Sequence, residues 1–174
     1  MITSVGADWN AFAAANDGAA LTGSRVVGRS LFDFIAGDET RRIYQLLLRR
    51  VRALDAPILL PFRCDSPDAR RHMRLEIRPG RERGVEFRGV CLRSETRRHL
   101  RLVSASEPRP RALLVSCSFC LLVQVPPKSW LEAEDAVVRL RLLDGDAPPR
   151  LVYGVCPACK ARLSEASGGA DPLP

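Results

Sequence analysis

The chain is poor in lysine, histidine, methionine and aromatic residues. Two of its 27 basic side chains are lysines, it has two histidines and two methionines, and aromatic residues make up 6%. No apolar run approaches the roughly 20 residues that a membrane-spanning helix needs, and the longest candidate, residues 112–125, is broken by Ser, Cys and Gln. The opening residues, MITSVGADWN, lack the basic start and apolar block of a signal peptide, so a soluble cytoplasmic protein is expected. No hydrolase triad, phosphate-binding glycine loop or carboxylate pair with catalytic spacing is present, so the chain is expected not to be an enzyme.

Its 174 residues suit one domain, or one domain with a small appendage, and 46% hydrophobic with 27% charged residues is ordinary globular composition. The net charge of +7 is uneven: residues 25–112 carry +10, while residues 1–24 and 113–174 carry −2 and −1. A basic surface attracts nucleic acid or acidic partners. Here the excess is almost all arginine, spread through alternating strands, as a GC-rich coding sequence would produce, and nucleic acid is not the expected partner.

Along the chain, residues 2–5 have the composition of a short strand. Trp9, Phe12 and Ala13 have helical spacing, and Asn16-Asp17-Gly18 stops that turn. A long helix is predicted over residues 38–54, with Asp38 as N-cap and Ile43, Leu46, Leu47, Leu48, Val51 and Leu54 on the apolar face. Three strands follow, at residues 58–64, 72–78 and 85–93, separated by Ser66-Pro67-Asp68 and by Pro79-Gly80 with Gly84. Residues 94–104 read as a short basic helix. Pro108 and Pro110 mark a linker, residues 130–143 an amphipathic helix, and residues 164–174 a disordered tail. A long helix followed by an antiparallel meander predicts an α+β fold.

The run WNAFAAAND…LTGSRVVGRSLFDFIAGDETRRIY, followed by LLPFRCDSPDARRHMRLEI, resembles a bacterial PAS sensor domain over residues 1–95. The resemblance implies a five-stranded antiparallel sheet with helices on one face, and a cavity between them that either takes a small ligand or is filled by side chains such as Phe34, Tyr44, Leu47 and Phe62. It also implies dimerisation through flanking helices or the outer sheet face. The first strand would start almost at Met1, so it is expected to be short. Trp9 and Phe12, with the sheet face, are the candidate surface for a homodimer or a signalling partner. Neither flavin nor haem is expected: no cysteine precedes the long helix, no histidine lies on it, and His72 and His99 read as surface groups. Cys64 and Cys91 read as small buried strand residues. Arg63, Asp65, Arg70 and Arg71 form a cluster that either binds an anion through the guanidinium groups or caps and pairs its own turn.

The other four cysteines form two Cys-x-x-Cys pairs, Cys117/Cys120 and Cys156/Cys159, with 35 residues between them. This spacing suits four thiolates closing a tetrahedral Zn²⁺ shell with no open position for substrate, the arrangement of a structural site. A thioredoxin-like redox centre would need one pair at a helix start in a βαβ unit, and no parallel sheet is predicted. Iron–sulfur ligation is the other metal reading. The run LLVSCSFC…W…E…YGVCPAC is similar to a small module that follows PAS or receiver domains in bacterial signalling proteins, reading Cys-Ser-Trp-Cys, then Trp with a nearby Glu, then His-Gly-Ile-Cys-Pro-x-Cys. By that resemblance the four cysteines hold zinc, Trp130 matches the Trp and Glu134 the Glu, while Phe119 replaces a Trp and Tyr153 the His.

The sequence therefore predicts a PAS-like domain over residues 1–95, a linker over 96–112, a zinc-ribbon-like module over 113–163 and a tail over 164–174. The expected function is that of a non-enzymatic signalling adaptor acting by protein–protein contact. The alternatives are a zinc-containing nucleic-acid-binding regulator and a thiol redox sensor.

Overall fold

The structure, a computed structural model, describes residues 1–16, 18–104, 112–142 and 147–166. The fold is mixed α+β with two sheets. Two short helices, α1 (Trp9–Ala14) and α2 (Gly23–Val26), precede the long helix α3 (Asp38–Leu54). Strands β1 (Ile58–Arg63), β2 (Ala69–Pro79) and β3 (Val85–Thr96) form an antiparallel meander in the order β1-β2-β3. The second sheet has the order β6-β5-β4-β7 and consists of β4 (Leu113–Cys117), β5 (Val123–Val125), β6 (Ser129–Leu131) and β7 (Arg150–Gly154). Helix α4 (Ala133–Arg139) follows β6, and α5 (Pro157–Ala166) follows β7.

Helix α3 forms where the apolar spacing places it and buries Ile43, Leu47, Leu48 and Val51 along one face. Its N-cap is Gly37, not Asp38; Asp38 and Glu39 instead sit in the first turn, where negative charge complements the helix dipole. Gly37 has φ +84°, and a Cβ there would lie 2.5 Å from the carbonyl oxygen of Tyr153. Only glycine combines that backbone conformation with so close an approach to β7. At the other end Asp55 stops the helix in the left-handed conformation.

One face of the first sheet, with Ile58, Leu60, Leu75 and Ile77, packs against α3. The opposite face carries the cross-strand pairs Glu76–Arg88 and Arg78–Glu86, and Glu76 is itself buried beneath its ion pairs with Arg74 and Arg78. Cys117, Phe119, Val155, Cys156, Cys159 and Leu163 belong to the same apolar cluster as the buried residues of α3, β1 and β2, so segments on both sides of the proline-containing linker share one core. A second cluster gathers Leu100 and Leu102 with Val123, Val125, Ala133, Ala136 and Val137.

Several expected elements differ. Residues 2–5 are not a strand: Ile2 exchanges backbone hydrogen bonds with Gly28 and Arg29, at 2.8 Å each, and residues 3–5 form no regular element. Among the described residues the first sheet accordingly has three strands, where the PAS resemblance implied five. Residues 94–96 continue β3 because β2 is long enough to pair Ala69 with Thr96; beyond it lies only a single 3-10 turn at Arg101–Val103. Trp130 is in β6, paired opposite Gln124, so the amphipathic helix starts later, at Ala133, and leaves Val138 exposed. Residues 164–166 finish α5 and are not tail. Pro108, Pro110, Leu143 and residues 167–174 lie outside the described residues. Cys91 is exposed because β3 is an edge strand whose residues are all exposed or half-buried, and Cys64, just after β1, is half-buried.

No helix among the described residues is long and apolar enough to cross a membrane.

Candidate metal centre

The second sheet builds the site. Strands β4 and β7 pair in parallel, with Cys117 opposite Gly154. This register brings two turns that are far apart in sequence to the same end of adjacent strands. Cys117 ends β4, and the chain doubles back at once: the Leu121 N–H donates to the Cys117 carbonyl at 3.0 Å, and the Cys117 N–H donates to the Leu122 carbonyl at 2.8 Å. Leu121 takes the left-handed conformation, with φ 59°, that this tight return requires. On the other side Cys156 follows β7, Pro157 opens α5 with the fixed φ suited to a first helical position, and Cys159 lies in the first turn.

The sulfurs of Cys117, Cys120, Cys156 and Cys159 all lie within 4.8 Å of one another, and all four cysteines are free thiols. The Cys120 and Cys156 sulfurs are 3.6 Å apart. A tetrahedral shell with Zn–S bonds of about 2.3 Å has sulfurs about 3.8 Å apart, so the cluster matches a four-thiolate cage in size. Backbone N–H groups steady the sulfurs: that of Cys156 donates to Cys117 Sγ, and that of Cys159 to Cys156 Sγ, both at 3.4 Å. The Arg162 guanidinium donates to Cys159 Sγ at 3.0 Å. Hydrogen bonds from Cys120 and Cys159 hold the Cys117 thiol far below its ordinary pKa, while the bond to Cys117 raises those of Cys120 and Cys159. Soft sulfur donors arranged in this way could hold a metal ion such as zinc. One sequence expectation is corrected: a parallel strand pair does exist, and the Cys156/Cys159 pair does sit at a strand-to-helix junction.

Both turns of the centre pack into the rest of the molecule. Phe119 is buried, stacks on Tyr44 at a centroid distance of 5.9 Å, and accepts a hydrogen bond from the Arg63 backbone N–H at 2.7 Å. Ser118 and Thr40 share a hydrogen bond of 2.7 Å. The Glu39 carboxylate accepts from the Val155 N–H at 3.0 Å and pairs with Lys160. Burial pushes the Tyr44 phenol up to about 12.

The arginine cluster joins the two halves of the chain. Arg63 pairs with Asp65, both nearly inaccessible at 7% and 2% side-chain exposure, and reaches Glu132 at 3.1 Å. Arg70 bridges Glu132 and Glu134 at 3.4 and 3.1 Å, and Arg97 contacts Asp65 and Glu134 at 3.1 and 3.2 Å. Arg71 turns away, to the Asn16 side chain at 2.6 Å and the Cys64 carbonyl at 3.2 Å. Three guanidinium groups thus meet three carboxylates, which favours the internal-pairing reading over anion binding. Nothing local in the sequence marks Arg97 or Glu132, whose partners lie 32 to 69 positions away.

Of the four residues named for a ligand cavity or its filling, Tyr44, Leu47 and Phe62 share one core cluster and Phe34 lies apart from it. Leu47 is a core residue, Tyr44 and Phe62 pack against that core, and the Phe34 ring lies under the Arg29 guanidinium at 4.7 Å. Trp9 and Phe12 remain 40% and 46% exposed, and the Trp9 indole donates to the Leu21 carbonyl at 2.6 Å. His72 and His99 lie on the surface beside Glu95 and Asp68. No family model matches this sequence, and no curated protein and no solved structure matches it significantly.

Proposed function

We propose that the chain is a non-enzymatic, PAS-type signalling adaptor whose second half is held together by a structural zinc centre at Cys117, Cys120, Cys156 and Cys159. The observation that carries this reading is the convergence of four buried or half-buried thiols at the point where both cysteine turns enter the core under α3 and β1. Four protein ligands complete a tetrahedral shell and leave no position for substrate, which suits a structural ion better than a catalytic one. The PAS component is supported by the long helix packed on a three-strand antiparallel meander. The exposed Trp9 and Phe12 support transmission by contact, with a homodimer or a signalling protein as partner.

Native mass spectrometry and elemental analysis test the centre. One zinc per chain is expected, with Cys117→Ser weakening it and Cys117→Ser combined with Cys156→Ser abolishing it. Full metal retention in the double variant overturns the assignment. A visible spectrum showing bound flavin or haem would count against the sensor type proposed. Sedimentation at micromolar concentration, with and without Trp9→Ala, tests the dimer.

A thiol redox sensor is the second reading, and the position of Cys156 and Cys159 at a strand-to-helix junction favours it. Counting reactive thiols with and without chelator separates the two. Protection that chelator removes is the metal reading; thiols that oxidise reversibly with no metal present are the redox one.

A further inference from the structure

We propose that Arg162 is a positioning residue of the four-cysteine centre: it holds the Cys159 sulfur in place and offsets the charge of the loaded site. This rests on the metal reading above. Arg162 stands three residues after Cys159 on α5, so its side chain can reach back over the preceding turn. Its Nη2 lies 3.0 Å from Cys159 Sγ. The sulfurs of Cys117 and Cys156 are steadied by backbone N–H groups, whereas Cys159 has a charged side chain in that role, which a single substitution removes.

The surroundings make this contact count. Cys159 and Arg162 line a recess of about 10 Å³ together with Leu60, Pro61, Phe119 and Leu163, room for one water molecule at most. The Cys159 sulfur is buried while Arg162 itself is exposed, so the guanidinium reaches the sulfur from the solvent side. Four thiolates around a divalent cation carry a net charge of −2, which favours a nearby positive group. Lys160, the neighbouring cation, is held 2.5 Å from Glu39, whereas Arg162 spends its charge on the sulfur.

Hydrogen-bond partners of metal ligands typically change metal affinity by roughly 10- to 100-fold. The test uses the full chain loaded with zinc and titrated against a chromophoric chelator. Arg162→Ala is expected to weaken zinc binding by roughly 10-fold or more, with Arg162→Lys recovering part of the loss and Arg162→Gln, which keeps donors without charge, recovering less. In the Co²⁺-loaded protein the thiolate charge-transfer bands are expected to shift in Arg162→Ala, a change that a merely structural role would not produce. Circular dichroism checks folding, and if the alanine variant does not fold, the lysine and glutamine variants decide by the same measurements. A parent that loads one ion, and variants that hold it within twofold of the parent, overturn the Arg162 assignment alone. A parent that takes up no metal overturns the metal reading and this inference with it.

Discussion

Asp65 shows how a single residue can tie distant segments together. Burial alone would favour its neutral form. The Arg63 hydrogen bonds, the Arg71 backbone N–H and the charges of Arg63 and Arg97 outweigh that effect and hold its carboxyl below the usual carboxylate range. A depressed folded-state pKa adds stability above the unfolded value, about 3.9 for Asp, and that stability is lost as pH falls through the lower folded value. Stability is therefore expected to drop as the solution is acidified below about pH 4. Asp65→Asn removes one partner from a buried pair and should cost about 3 kcal/mol near neutral pH while flattening the acid limb. Urea unfolding at a series of pH values checks both. An unchanged acid limb in the variant would assign the acid sensitivity to other carboxylates, Glu134 among them, which is also held low.

At the scale of elements, the start of α3 is the tightest joint. Gly37 gives the helix its cap and lets the chain pass against β7 at Tyr153. Gly37→Ala meets both a disfavoured φ and a backbone oxygen 2.5 Å from the new methyl group. It is expected to destabilise by more than about 1 kcal/mol, with β7 displaced from α3. A urea midpoint equal to that of the parent would show that the joint yields without cost. The edge strand β3 illustrates the opposite condition: all its residues are exposed or half-buried, so it adds no fully buried residue to the core.

For the whole molecule, the shared core ties the metal centre to the first sheet. Cys117, Cys156 and Cys159 are in the same apolar cluster as Ile43, Leu47, Val51, Ile58 and Ile77. Metal binding and folding of such a site are one process. Chelation is therefore expected to loosen α3 and β1 as well as the second sheet, since Phe119 and Val155 would leave the surfaces they cover. Hydrogen exchange on the metal-loaded and chelated full chain reads this directly. Loss of protection confined to residues 113–166 would show that the first sheet and α3 stand without the centre.

Much of the molecule was legible from local signals. The apolar stripe of α3, the alternation Met73-Leu75-Ile77 and the Ser66-Pro67-Asp68 turn each follow from short-range geometry, and the two Cys-x-x-Cys pairs named the metal-site candidates by spacing alone. Where local composition misled, a partner strand had decided. Residues 94–96 are strand because β2 extends to meet them, and Trp130 is strand because Gln124 stands opposite. The roles of Arg97, Glu132 and Arg162 depend on which charges and sulfurs come to face them. That in turn depends on the parallel pairing of β4 with β7 and on the packing of both cysteine turns under α3 and β1. Periodicity, turns and ligand spacing are written within a few residues and can be read there. Parallel pairing and a shared core depend on contacts between segments distant along the chain, which only the folded molecule brings together.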